Sequence, residues 1–237
     1  MINSMKHYLF ALTVSSTVLA PQIWASMSHN QVGFGPFVGG GVVSVQDSQV
    51  RHNSGFRLRG VRQFGLGGGI SVGPQLEFVN SISNIRRADD NISQIANYDS
   101  RIAAGGARLS VAITDSNLPK EIYLAATYGG GISKLSVDEN QQNYFRSNLY
   151  HDIGVRYSAA EAGFKIPLQA DFNVEVGVLA SLISYDQSDA IGTFEAEDAR
   201  SGNVSLTAGE ISTDESTLEE KVVQKTYSAT MGLSFEF

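Results

Sequence analysis

The chain has no cysteine. This single absence removes disulfides, thiolate metal sites, cysteine nucleophiles and a lipid-modified N-terminal cysteine. Charge is sparse, at 17% of residues, against roughly 25% in an ordinary soluble domain. Positive charge is sparser still: 17 Lys and Arg face 24 Asp and Glu, for a net charge of −7 over 237 residues. A nucleic-acid binder needs a basic stripe, so no nucleic-acid partner is expected. Long apolar runs are missing outside the N-terminus. With a mean hydropathy of −0.07, this excludes a multi-helix membrane protein. Glycine is the one enriched punctuating residue, with 24 copies. These copies show no period of three, which excludes collagen.

What is present begins with an address. Lys6 supplies a positive flank, Tyr8 to Ala20 form an apolar stretch, and Ile23-Trp24-Ala25 offers a small residue for cleavage. The stretch is shorter than a spanning helix and has the layout of a secretory signal peptide. Residues 1–25 are therefore expected to be a signal peptide, and 26–237 the mature domain. An uncleaved anchor is the plainer alternative.

No later segment has helical periodicity, whereas several alternate with period two. In Lys225 to Phe237, Tyr227, Ala229, Met231, Leu233, Phe235 and Phe237 share one face. Thr226, Ser228, Thr230, Gly232, Ser234 and Glu236 share the other, the signature of a strand with one apolar side. The same alternation predicts eight strands, at about 33–46, 56–71, 75–86, 100–113, 121–137, 154–166, 171–186 and 224–237. Several are far longer than the usual strand of about 5–6 residues. Tilted membrane-crossing strands need about 9–11 residues in the apolar zone alone. Long polar connections at 47–55, 87–99, 138–153 and 187–223 alternate with short ones at Val72-Gly73-Pro74, Thr114 to Lys120 and Pro167 to Ala170. Long loops at one end and short turns at the other describe a membrane meander whose two termini lie at the short-turn end.

With these features the sequence resembles the small outer-membrane β-barrel superfamily: the OmpA-like transmembrane domain and the OmpX/Ail and opacity-type proteins. The resemblance covers about residues 30–237. It implies an all-β, eight-stranded, antiparallel up-and-down transmembrane barrel in the outer membrane of a Gram-negative cell. It also implies contact with outer-membrane lipid and lipopolysaccharide. Tyr227, Met231, Leu233, Phe235 and Phe237 match the C-terminal signal read by the barrel-assembly machinery. OmpA-type chains continue into a peptidoglycan-binding domain; this sequence stops at Phe237, so anchoring to the cell wall is not implied.

In such a barrel apolar side chains face lipid and polar ones face inward. An eight-stranded lumen is just wide enough for its own side chains. Glu77, Arg108, Glu175 and Glu236 fall on polar faces and are expected to form a charge network. Arg57, Arg59, Glu161 and Lys165 are further candidates whose parity depends on the absence of a bulge. Aromatics near strand ends (Phe34, Phe37, Phe64, Phe78, Tyr123, Phe172, Tyr185, Tyr227, Phe235 and Phe237) are candidates for interfacial girdles where they face outward. The runs Gly39-Gly40-Gly41, Gly67-Gly68-Gly69 and Gly129-Gly130-Gly131 suit bending and large neighbours. They lack the Gly-Lys-Ser/Thr of a phosphate loop.

Any binding role falls to the loops. The loop 187–223 holds nine acids against Arg200 and Lys221, a net −7 that is nearly all of the −8 left once Lys6 goes with the signal peptide. It is read either as a solvated anionic surface or as a module for a cationic or extracellular partner. Asp89-Asp90-Asn91 reads as a turn, no calcium-loop pattern occurs, and neither metal nor cofactor is expected. Related barrels that modify lipid A use Ser with His. Here His52 and His151 lie in the long-loop half, His29 lies near the mature start, and Ser147 is four residues from His151 with no fixed geometry. The expectation is a non-enzymatic outer-membrane barrel with an envelope or surface-interaction role. A narrow small-solute channel and a lipid A-modifying enzyme are the alternatives.

Overall fold

The computed structural model describes residues 28–44, 48–89, 92–113, 121–141, 144–169, 171–187, 191–198, 206–211 and 221–237. The signal-peptide segment 1–25 and the connection 114–120 lie outside them. The strands are β1 (Ser28–Val43), β2 (Ser48–Gly67), β3 (Ile70–Asp89), β4 (Ile92–Ala112) and β5 (Glu121–Gln141). They continue with β6 (Tyr144–Pro167), β7 (Phe172–Asp186), β8 (Ile191–Asp198), β9 (Leu206–Ile211) and β10 (Lys221–Glu236).

Consecutive strands from β1 to β7 pair antiparallel, β7 pairs with β10, and β10 pairs back onto β1. Eight strands therefore close one ring. The seam is tied at its end by reciprocal bonds, Asn30 N–H to Phe237 C=O and Phe237 N–H to Asn30 C=O, each 3.0 Å. Closure leaves no unpaired edge around the ring, as a bilayer interior demands.

The alternation read from the sequence sets the two faces. Along β10, Tyr227, Ala229, Met231, Leu233, Phe235 and Phe237 point out, while Gln224, Thr226, Ser228, Thr230 and Ser234 are buried inside. Tyr227 and Phe237 are 63% and 65% exposed, and Leu76 on β3 is 70% exposed. An apolar exterior around a polar interior is the reverse of a water-soluble barrel and the arrangement that lipid requires. Phe37, Tyr123 and Tyr185 are buried within the lumen and so are not part of any girdle. Phe34, Phe64, Phe78, Phe172, Tyr227, Phe235 and Phe237 lie on the outward parity, with the Phe172 and Phe235 ring centroids 5.2 Å apart.

Three expectations about boundaries are corrected. The turn between β2 and β3 is not Val72-Gly73-Pro74, which lies inside β3; it is Gly67-Gly68-Gly69, with φ of 92°, 62° and 79°. Only glycine takes three successive positive φ values without strain. Second, most of the polar segments 47–55, 87–99 and 138–153 are not loops. They extend β2 to β6 as continuous ladders, such as Ser48↔Arg87 and Ile92↔Gln141. Third, the segment 187–223 contains β8 and β9, and β8 pairs with the outer part of β6, from Tyr144↔Asp198 to His151↔Ile191.

Candidate functional site

The lower lumen, nearer the short turns, holds one unbroken chain of ion pairs. Starting at Glu77 (β3), Arg57 (β2) lies 2.7 Å from Glu77 and 2.9 Å from Glu161 on β6. Arg59 (β2) lies 2.9 Å from Glu161 and 2.5 Å from Glu175 on β7. Arg108 (β4) then reaches Glu175 at 2.9 Å and Glu121 (β5) at 3.4 Å. The Arg108–Glu175 contact is close enough for an ion pair but is not aligned as a hydrogen bond. Lys165 (β6) links Glu121 to Glu236 (β10), 2.5 Å from the latter. Five acids and four bases alternate along it. The remaining ring strand, β1, joins through Gln31, which donates to Glu175.

Neutral groups add to the charges' bonding. Tyr123 donates to Glu161 at 3.0 Å, Thr230 to Glu161 at 2.9 Å, and Thr127 to Glu77 at 3.0 Å. The Arg108 guanidinium sits 3.8 Å from the Tyr123 ring centroid. Glycine makes this possible: a Cβ at Gly163 would stand 2.5 Å from the Tyr123 hydroxyl. Buried charges persist when paired and hydrogen-bonded; every charge here is paired, and only Arg57 Nε and Arg108 Nη1 among the buried atoms of these charged groups lack a hydrogen bond.

The structure brings Glu77, Arg108, Glu175 and Glu236 into one network, together with Arg57, Arg59, Glu161 and Lys165. Glu121 is not among the residues the sequence singles out, and Tyr123 is singled out only for a girdle. The signal for both is present, since they share the inward parity of β5.

Above the ions lies a layer of small polar groups centred on Asn53. Its carbonyl oxygen accepts from Ser81 and Ser83, each at 2.9 Å, and its amide donates to Thr226 at 3.1 Å. Higher still the inward positions turn apolar. Ile102, Leu135, Ile153, Ile183, Tyr98, Tyr150 and Tyr185 pack in one cluster. The Tyr98 and Tyr185 ring centroids are 4.1 Å apart, and Gln187 donates to the Tyr98 hydroxyl at 2.6 Å. Outward positions at this level carry Arg86, Asp99, Arg101, Lys134, Asp152 and Arg156. The polarity of the wall has inverted: below, apolar faces out; above, it faces in. That places the upper part of the barrel in water.

Two bulges lie along this changeover: one extra residue in β2 at Arg51–His52, seen against both β1 and β3, and one in β6, where the β5–β6 ladder shifts between Ser133 and Leu135. In the last, His151 and Asp152 together stand opposite Lys134, and Asp152 takes φ 59°. The one extra residue lets Tyr150 and Ile153 both face inward. Such bulges are frequent at barrel rims.

The three described histidines are not gathered. His29 pairs with Gln63 near the short-turn end, His52 lies on the outer face of β2, and His151 lies in the β6 bulge. Ring order separates β2 from β6 by half the barrel.

No family model and no curated protein matches the chain. Solved structures of similar shape include a major outer membrane protein of Thermus thermophilus. It is 14% identical, with 87% of this chain and 99% of that one covered, at a TM-score of 0.41. OprG of Pseudomonas aeruginosa is 11% identical, with 89% and 96% covered and a TM-score of 0.39. Ail, the attachment invasion locus protein of Yersinia pestis, is 12% identical, with 89% and 99% covered and a TM-score of 0.38. The closed ladder and its inside-out polarity define the fold independently of these likenesses: the chain is an eight-stranded antiparallel barrel with the apolar outer belt and polar lumen of a transmembrane one.

Proposed function

We propose that this protein is an integral outer-membrane barrel with a sealed lumen, exported by residues 1–25. Its role is non-enzymatic, and its projecting hairpins and the acidic segment 187–223 meet an extracellular partner. The observation that carries this reading is the lumen itself. A continuous ion chain, a hydroxyl layer and an apolar cap occupy successive levels of the lumen among the described residues, which supports reading the wall as a scaffold. Function then falls to what the scaffold presents above the membrane. The C-terminal strand ending in Phe235 and Phe237 supplies the insertion signal. Scattered histidines support the non-enzymatic reading over a lipid A-modifying one, because a nucleophile and its base need mutual reach.

The test separates a scaffold from a channel. Purified, refolded protein in planar bilayers is expected to give no reproducible conductance steps, while remaining folded by its unboiled-gel mobility. Regular steps in the same folded preparation would replace this reading with the narrow small-solute channel. Deleting 190–220 is expected to spare folding and abolish binding to cells or matrix. Unchanged binding would take the interaction role away from that segment.

A further inference from the structure

The ion chain in the lumen holds one acid more than its bases, and the surplus lies at one end. Glu77, Glu161 and Glu175 are matched by Arg57, Arg59 and Arg108 in the interior. At the short-turn mouth two acids, Glu121 and Glu236, share the single lysine Lys165. Glu236 is the most open member of the chain, with its side chain 28% exposed, and Lys165 engages only its Oε1. A surplus charge in so narrow a space is costly, so the mouth calls for a counter-charge.

Beside Glu236 lie three polar side chains that are buried without full bonding. They are Gln31 on β1, Ser234 on β10 and Asn173 on β7, exposed by 2%, 1% and 5%. Gln31 Oε1, Ser234 Oγ and Asn173 Nδ2 have no hydrogen-bond partner among the described residues. The ladder brings them together. Gln31 stands opposite Glu236, and Ser234 stands opposite Asn173 on one side and Gly33 on the other. Directly opposed positions hold their Cβ atoms about 4.5–5.5 Å apart. Ser234 and Glu236 are successive inward positions of β10. Gln31 sends its amide nitrogen to Glu175 on β7, so its side chain crosses over Ser234 and Gly232 of the intervening β10. A Cβ at Gly33 would meet its nearest neighbour only at 3.4 Å, so the missing side chain leaves room beside Ser234. No hydrogen bond fixes the Asn173 amide, and either of its ends can face this room.

We propose that Gln31, Ser234, Asn173 and Glu236 form a binding site for a monovalent metal cation, sodium or potassium, entered from the short-turn mouth. The donor set is oxygen throughout: a carbonyl, a hydroxyl, an amide and a carboxylate, which are the donors that hard cations take. The surplus is a single charge, which a monovalent ion cancels and a divalent ion overshoots. Water alone would complete the hydrogen bonds and leave the charge standing. The four residues come from β1, β7 and β10, which only ring closure brings together, so no ligand motif announces them in the sequence. The bound ion ties the first strand to the last two of the ring and so holds the seam shut. The site goes beyond the scaffold reading and does not depend on it.

The experiment follows urea unfolding of the full chain, refolded in neutral detergent, in sodium, potassium, calcium or choline chloride at matched ionic strength. Unboiled-gel mobility checks folding, and sodium-23 line broadening in a choline chloride background reads binding directly. Relative to choline, about 100 mM sodium or potassium is expected to lower the unfolding equilibrium constant roughly tenfold, as for a dissociation constant near 10 mM. Calcium is expected to do less. Ser234→Ala removes one oxygen without crowding. Deleting an unpartnered buried hydroxyl is neutral or stabilising where nothing binds it. Here the variant is expected to fold and to lose both the sodium response and the line broadening. Glu236→Gln cancels the surplus charge and is expected to lose both as well. Ser228→Ala deletes another unpartnered buried hydroxyl, farther up β10, and is expected to keep the full response. Equal stability in all the salts overturns the proposal; it is the result of a seat filled by water or of an acid balanced by a retained proton. A larger effect of calcium than of sodium also overturns it, as does a response that survives in Ser234→Ala and Glu236→Gln. Should either variant fail to fold, the salt series and the line broadening of the unaltered chain decide alone.

Discussion

Glu161 is the residue on which the lumen depends most. Its carboxylate meets Arg57 and Arg59 and accepts from Tyr123 and Thr230. Glu161→Gln keeps the shape and deletes the charge between two buried guanidinium groups. Removing one partner of a buried ion pair costs about 3–5 kcal/mol. Urea unfolding of the variant in lipid vesicles is expected to show a loss of that order; a loss below about 1 kcal/mol would mean the charges are solvated rather than mutually dependent. The pair Arg57→Met with Glu77→Leu removes one charge of each sign from the end of the chain. It is expected to cost less than either change alone. Parity along β2, β3, β4, β6, β7 and β10 makes most of these residues visible in the sequence. The pairing partners are not visible there, because alternation fixes which face a side chain takes and leaves the shear between distant strands open.

At the scale of the element, the β2–β3 turn shows where punctuation misleads. Val72-Gly73-Pro74 has the composition of a tight turn, yet Pro74 lies within β3, opposite Ala107 of β4. The chain turns at Gly67-Gly68-Gly69, a run that the sequence also suits to a bent strand. Both readings are consistent with composition, and φ decides between them. Gly68 stands at φ 62° with nothing within 4 Å of an added Cβ, so a substitution there tests conformation without crowding. Gly68→Val is expected to destabilise the barrel by roughly 1–2 kcal/mol, the usual cost of left-handed backbone. Gly68→Asn should cost less, because Asn visits that region more readily. Gly60→Ala, equally uncrowded and at an ordinary φ, is the control. Equal shifts in the urea midpoint for all three would remove the conformational argument. The upper strand halves mislead for a related reason. Their outward residues are charged and their connections polar, so 87–99 and 138–153 look like loops. The period of two in fact continues with its polarity exchanged: Ile102 and Leu135 are buried, while Arg101 and Lys134 are exposed.

That exchange matters most for the whole molecule, because it fixes how the barrel sits. A barrel apolar outside along its full height would bury its long hairpins in lipid; this one changes over between Ile132 and Lys134 on β5 and between Ala103 and Arg101 on β4. The only tryptophan in the chain is Trp24, within the expected signal peptide, so residues 26–237 give a tryptophan-free background in which a depth probe can be placed at will. On one strand, Tyr128 lies outward in the belt and Ser136 outward above the changeover. With the protein refolded into vesicles of lipid brominated along the acyl chain, Tyr128→Trp fluorescence is expected to be strongly quenched. Ser136→Trp should be nearly unaffected and should emit at longer wavelength. A third probe at Ile153, buried in the apolar cap, should be neither quenched nor red-shifted, since that cap is shielded from lipid and water alike. If Ser136→Trp were quenched as deeply as Tyr128→Trp, the hairpins would lie in the bilayer. Arg86, Arg101, Lys134 and Arg156, which face outward above the changeover, would then be buried in hydrocarbon, where an Arg or Lys costs roughly 2–4 kcal/mol at the midplane of a barrel. The placement argued from polarity would have to be abandoned.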